Sequence, residues 1–186
     1  MKRGFDLLLV IICTSLMLLP IIVVAVLVKS TLKGSILYWS DRVGKNNIIF
    51  NMPKFRTMRM NTPIIAKHLL NNPSTYLSPI GEFLRRTSLD ELPQLYSILK
   101  GDMSFVGPRP ALFNQEDLIA LRTKKGVYKL LPGVTGWAQV NGRDTLSIID
   151  KVNLDIEYIA YQSFWFDIRI LWMTFLKVIK RENVSH

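Results

Sequence analysis

The stretch "LLLVIICTSLMLLPIIVVAVLV", residues 7–28, decides the architecture, because its 22 residues carry no charge. As a straight helix it would be about 33 Å long, enough to cross the hydrocarbon core of a bilayer. It is too long for a signal peptide, and no A-x-A-like cleavage site follows it. Length alone favours a spanning anchor. Two features favour another reading. Pro20 lies near the middle, where it removes a backbone hydrogen bond and crowds the preceding turn. Lys2 and Arg3 flank one end, while Lys29, Lys33, Arg42 and Lys45 follow the other, so both ends read as cytoplasmic. A helix broken at Pro20 that dips into the membrane and returns on the same side satisfies both flanks. Residues 1–33 are therefore expected to form a re-entrant helix-break-helix anchor, and 34–186 a cytoplasmic domain. Asp6, a carboxylate at the membrane boundary, needs a cationic partner, and Lys2 and Arg3 are candidates.

Working outward, the 186 residues suffice for one domain with a real core plus an appendage. An apolar fraction of 49% and a mean hydropathy of +0.21 lie at or above the soluble average, with much of the excess near the N-terminus. The formal net charge of +10 implies anionic partners: nucleic acid, acidic lipid or a phosphate-bearing substrate. Cys13 is the sole cysteine, which excludes an internal disulfide, and no Cys/His cluster has zinc spacing. His68 reads as a surface or loop residue.

The segments "GSILYWS" (34–40) and "NNIIF" (46–50) read as strands joined by "DRVGKN", a hairpin with Gly44 in its turn. Residues 61–80 carry three prolines and read as a loop around a short helix near 64–70. A helix is expected from 88 to 100, ending at Gly101, with Leu92, Leu95, Tyr96 and Leu99 on its buried face. "GDMSFVGPRPAL" (101–112) reads as a strand or loop closing on Pro108-Arg109-Pro110, whose prolines restrict the backbone and aim Arg109. Residues 111–125 look helical, and "LLPGVTGWAQVNGRD" (130–144) places turns on both sides of a short strand. The segment "FWFDIRILWMTFLKVIKR" (164–181) makes a helix with Trp165, Ile168, Trp172, Phe175 and Ile179 on one face. It suits either a membrane interface or a packed core. The expected class is α+β: mostly helical, with a small β-sheet or hairpin, the re-entrant helix and amphipathic interfacial helices.

"RRTSLDELPQL" (85–95) poses the chemical question. Ser88 and Glu91 have capping-box spacing. Against that reading, Pro93 would fall at the fifth position of such a helix and distort it. Alternatively, Asp90 and Glu91 act on a phosphate, with Lys54, Arg56, Arg85, Arg86, Arg109 and Arg143 around them. No P-loop, G-x-G-x-x-G or G-x-S-x-G is present. An aspartate can attack phosphorus, provided that arginine forks and a divalent metal neutralise the approaching anion. These residues alone leave both readings open.

"KFRTM" (54–58), "RRTSLDELPQL" (85–95), "GDMSFVGPRP" (101–110) and "PGVTGWAQVNGR" (132–143) together resemble the bacterial sugar transferases of the small monotopic phosphoglycosyl transferase family. The resemblance runs from Lys2 to about Arg181. It implies transfer of a sugar 1-phosphate from a UDP-sugar to undecaprenyl phosphate, with ping-pong kinetics, release of UMP and initiation of a surface glycan. It implies that Asp90 is the nucleophile and that Glu91 coordinates Mg²⁺ or assists the second attack. Arg109 would bind phosphate, with Lys54, Arg56, Arg85 and Arg143 as helpers, and Asp155 in "LDIEYIA" matches a further functional aspartate. The family also implies a re-entrant helix at the bacterial inner membrane, with the catalytic part on the cytoplasmic face. Two departures stand out: Leu19 precedes Pro20 where the family often has serine, and Pro53 precedes "KFRTM".

A nucleic-acid or acidic-lipid binder would gather its cations on one helix or stripe. Here they are scattered among turn motifs, so no nucleic-acid partner is expected. An inactive accessory subunit is disfavoured by the intact Asp90-Glu91 pair.

Overall fold

The computed structural model describes residues 2–59, 76–142 and 145–180. Helix α1 (Lys2–Thr31) holds the apolar stretch. Pro20 lies inside it and the helix runs through, so the expected pair of helices is one continuous helix. It is the one helix among the described residues long and apolar enough to cross a membrane.

Both ends of α1 are docked on the same body of protein. Val10 packs with Phe50, Met52, Ile98 and Met103, and Val24 and Val28 pack with Phe55 and Leu84. Between Val10 and Val24 no residue is buried, and Leu19, beside Pro20, is 71% exposed. Polar contacts fasten the N-terminal turn. Arg3 donates to the carbonyls of Ile98 (2.5 Å) and Leu99 (2.8 Å), at a helix C-terminus where a cation is favoured. The expected partnership of Asp6 with Lys2 or Arg3 is replaced by another. Asp6 Oδ1 accepts from Ser104 Oγ (3.1 Å) and Phe105 N (3.2 Å), while Lys2 donates to Tyr158 Oη (2.8 Å) and pairs with Asp167.

Strands β1 (Leu37–Val43) and β2 (Ile49–Phe55) form the expected hairpin around Gly44, and β2 runs five residues further than expected. Pro53 fits because β2 is an edge strand, where a missing donor leaves no ladder bond unmade. A third strand, β4 (Ala111–Leu112), pairs antiparallel with β1. A separate parallel pair joins β3 (Ser104–Val106) to β5 (Gly133–Thr135).

The region 79–100 departs most from expectation. Helix α2 (Pro79–Arg86) starts at Ser78, whose Oγ accepts from Gly81 N at 2.9 Å. A 3-10 turn covers Leu89–Glu91, and α3 spans Gln94–Lys100 with Gly101 left-handed at its C-cap (φ 98°). The expected helix over 88–100 is therefore shorter by one turn and a half. On α3 the buried residues are Gln94, Ser97 and Ile98, whereas Tyr96 and Leu99 are exposed. Starting the helix at 94 turns its face away from the one read by period. The expected helix near 64–70 lies outside the described residues.

Helix α4 (Glu116–Lys124) and the short α5 (Trp137–Val140) lead to α6 (Ile148–Tyr161) and α7 (Phe164–Lys180). The α7 face with Trp165, Trp172 and Phe175 is exposed, Trp165 by 77%. Ile170, on another face, is fully buried with Val106, Val140 and Tyr158. Of the two readings of this helix, exposure favours the interfacial one, because water-exposed Trp and Phe on an aqueous helix gain nothing.

Candidate active site

Asp90 and Glu91 sit at the junction between α2 and α3. Pro93 lacks the N–H that would bond the carbonyl of Leu89, so one helix cannot run through. Ser88 reverses the chain with a left-handed backbone (φ 57°), and its side chain makes no cap bond. The capping-box reading fails on that geometry. The junction exists, and what it presents is a carboxylate pair.

Asp90 is buried, with 7% of its surface exposed. Glu91 Oε1 accepts from Lys54 Nζ at 2.7 Å and from Arg109 Nη2 at 3.2 Å. Lys54 arrives on β2, and Arg85 on the last turn of α2, with its Nε donating to Thr57 Oγ1 at 3.0 Å. Burial pushes the Asp90 carboxyl above the ordinary aspartate range and Glu91 adds to this, while Lys54, Arg85 and Arg109 pull it down. Burial also lowers Lys54 and Arg85; Arg109 and Arg42 push Lys54 further down, against Glu91 and Asp90. The result is a tightly compensated cluster of cations and anions in which Asp90, Glu91 and Lys54 are largely withdrawn from water and Arg109 reaches the surface.

Arg109 is aimed from three sides. Strands β3 and β4 fix the chain before and after Pro108-Arg109-Pro110, and Gly133 N donates to the Pro108 carbonyl at 2.9 Å. Arg42 Nη1 donates to the Pro110 carbonyl at 3.2 Å. Arg122 Nη1 donates to the carbonyl of Arg109 itself at 2.7 Å.

Sequence reasoning brought Asp90, Glu91, Lys54, Arg85 and Arg109 together, and the structure does too. Arg56 uses its Nε on the Ser35 carbonyl (3.0 Å), tying the end of β2 to the segment after α1. Asp155 lies apart from the pair. It is buried with Arg122, whose Nε and Nη2 approach Asp155 Oδ2 at 2.9 and 2.8 Å, and Arg122 links it to the Arg109 carbonyl. Arg143 lies outside the described residues. Two residues were missed. Arg42, read from the sequence as a flank of the membrane segment, is enclosed in the site; burial, then Arg109, lowers its guanidinium to about 10. Strand alternation was the available signal, since Ser40 is buried and Arg42 follows at the next inward position, donating to Ser40 Oγ at 3.0 Å. Arg122 had no signal short of the fold.

A cavity of about 470 Å³ opens beside Glu91 and Arg109 and extends between α1 and α7. The cavity is lined by Glu91, Arg86, Arg109 and Lys177 together with apolar side chains, so it joins the charged cluster to an apolar space. The sequence model for bacterial sugar transferases matches residues 1–181. The chain belongs to that family.

Among relatives of this bacterial sugar transferase is the uncharacterised sugar transferase EpsL of Bacillus subtilis (strain 168), 38% identical over all of this chain and 90% of that protein. Another is the UDP-glucose:undecaprenyl-phosphate glucose-1-phosphate transferase of Escherichia coli (strain K12), 37% identical over 95% of this chain and 40% of that protein. A third is the undecaprenyl-phosphate galactose phosphotransferase of Salmonella typhimurium, 34% identical over 98% of this chain and 41% of that protein. The chain thus spans about two fifths of the length of these two named enzymes.

Proposed function

We propose that this bacterial sugar transferase moves a sugar 1-phosphate from a UDP-sugar to undecaprenyl phosphate through an aspartyl-phosphosugar intermediate. The observation that carries the reading is the buried Asp90 carboxylate beside Glu91, ringed by Lys54, Arg85 and Arg109. The names of the relatives support the donor and acceptor classes.

In the first step an Asp90 carboxylate oxygen attacks the β-phosphorus. The bond from that phosphorus to the bridging oxygen breaks, and UMP leaves with the electron pair. In the second, an oxygen of the lipid phosphate attacks the same phosphorus, and the acyl-phosphate bond breaks to restore the Asp90 carboxylate. The product is a lipid-linked diphosphosugar. Arg109 and Lys54 are charge-assisted donors able to bind phosphate oxygens as charge builds, and Arg42 braces the Arg109 turn. Lys54, whose side chain is 16% exposed, is preorganised largely out of water, where it is worth more than in solvent.

Among the described residues no group of three His, Cys, Asp or Glu could hold a metal. Two adjacent carboxylates fit Mg²⁺, which takes one or two protein carboxylates and completes its shell with water and phosphate oxygens. Glu91, with Asp90 beside it, would hold the ion, which would neutralise diphosphate charge. The docking of both ends of α1 on one body supports a membrane anchor whose two ends stay on one side; the inner membrane and its cytoplasmic face are proposed with it.

The test is the intact mass of detergent-purified protein incubated with Mg²⁺ and single UDP-sugars, without lipid acceptor. A gain of one phosphosugar with release of UMP, absent in Asp90→Asn, is expected. UMP release by an active Asp90→Asn protein, with no adduct on wild type, would overturn the role of Asp90.

A further inference from the structure

The cavity beside the carboxylate pair has two characters. Met17 of α1, Phe105, Val134 and Val178 of α7 supply apolar walls, while Arg86, Arg109, Lys177 and Glu91 supply charge. Its volume of about 470 Å³ lies within the ~300–1,000 Å³ common for ligand sites. Met17 and Val178 also belong to the exposed apolar surfaces of α1 and α7, so the cavity communicates with the surface that would face acyl chains. Three cations against one carboxylate, 3 − 1, leave two positive charges. That matches a phosphate monoester, which carries roughly −1.5 to −2 near neutral pH, better than a phosphodiester with its single charge.

Resting on the reading above, we infer that this cavity is the berth of the acceptor lipid. The phosphate monoester lies between Arg86, Lys177 and Arg109, and the first apolar units of its single chain lie along Met17 and Val178. The occupant is the acceptor rather than a bulk phospholipid, because charge, one apolar channel and continuity with Glu91 agree. Lys177 thereby becomes an acceptor-specificity residue on a helix that carries none of the carboxylate pair. It holds the phosphate together with Arg109, at the end of the cavity that Glu91 lines.

A polyprenyl phosphate carrying a photoreactive diazirine in its first isoprene units tests this on the full-length protein in detergent. After irradiation, crosslinks are expected in peptides containing Met17 and Val178. They should be competed by excess unlabelled polyprenyl phosphate and left by the same excess of phosphatidylglycerol. Crosslinks confined to other segments would overturn the berth. Equal competition by phosphatidylglycerol would make the cavity a general lipid groove and overturn the acceptor assignment. Independently, Lys177→Gln should raise the KM for the lipid phosphate about tenfold and Lys177→Arg should restore it; an unchanged KM in Lys177→Gln would remove Lys177 from the site. The acceptor-free adduct on wild-type protein is measured alongside. An adduct without the expected crosslinks would sink the berth and leave the proposed chemistry standing.

Discussion

At the scale of single residues, the site is governed by opposed perturbations. In the proposed mechanism Asp90 must be ionised to attack, and its carboxyl is raised by burial and by Glu91. Adduct formation should therefore rise with pH through an acid limb above the ordinary aspartate range. Lys54 must be charged to hold Glu91 and phosphate, and its ammonium is lowered by burial. The alkaline limb should consequently begin below the ordinary lysine range, and Lys54→Arg should push it upward. A pH–rate profile of UMP release checks both limbs, and a flat profile across the acid range would contradict the Asp90 assignment. The Lys54 and Glu91 side chains are only 16% and 12% exposed. Lys54→Met therefore leaves a buried charge with one partner fewer, and should cost about 3–5 kcal/mol in unfolding free energy. Asp155 and Arg122 act on Arg109 through its carbonyl. Arg122→Lys should lower kcat/KM by roughly 10–100-fold, as small misplacements of a phosphate donor do. It should add little to the loss already caused by Arg109→Ala, because the two act as a unit. Full additivity in that double-mutant cycle would show that Arg122 serves stability alone.

At the scale of elements, the Pro108-Arg109-Pro110 turn depends on two strands whose backbones approach closely. A methyl added at Gly136 would fall 2.0 Å from the Gly107 carbonyl oxygen, and one at Gly107 would fall 2.3 Å from that of Leu131. Both backbones are held by the β3–β5 ladder and cannot yield as a flexible side chain would. Gly136→Ala should destabilise by about 1–3 kcal/mol or more, read as a fall of several degrees in Tm in detergent. The "PGVTG" motif thus braces "VGPRP", while Val134 and Thr135 also line the cavity. The hairpin was legible because alternation and Gly44 both announce it. The α2–α3 junction was half legible. Pro93 signalled that no regular helix could run from Ser88, while the left-handed Ser88 that replaces the cap follows from how α2 and α3 pack against α1 and β2.

At the scale of the whole molecule, α1 is long and apolar enough for a membrane and also contributes to the core. Its ends are pinned by Lys2 to Asp167, by Arg3 to the end of α3, and by Val24 and Val28 to α2 and β2, leaving the apolar middle exposed around Pro20. In a re-entrant anchor both ends stay on one side. A cysteine placed at residue 2 and one at residue 33, each in a Cys13→Ala background, should react with a membrane-impermeant maleimide only from the cytoplasmic side of inverted vesicles. Reaction of residue 2 from the opposite side would establish a spanning helix.

The apolar run, its paired basic flanks and four ordered motifs are properties of the chain, and they determined the long apolar helix, the hairpin, the family and which charged residues gather around Asp90 and Glu91. These signals are local: composition, period and spacing survive without knowledge of neighbours. Only the tertiary structure decided that Asp6 answers to Ser104, that Arg42 belongs to the site, and that Asp155 reaches Arg109 through Arg122. Each of those depends on a contact between residues far apart in sequence. Which buried charge meets which partner is settled by packing, because the cost of leaving one unpaired is paid only once the chain has folded.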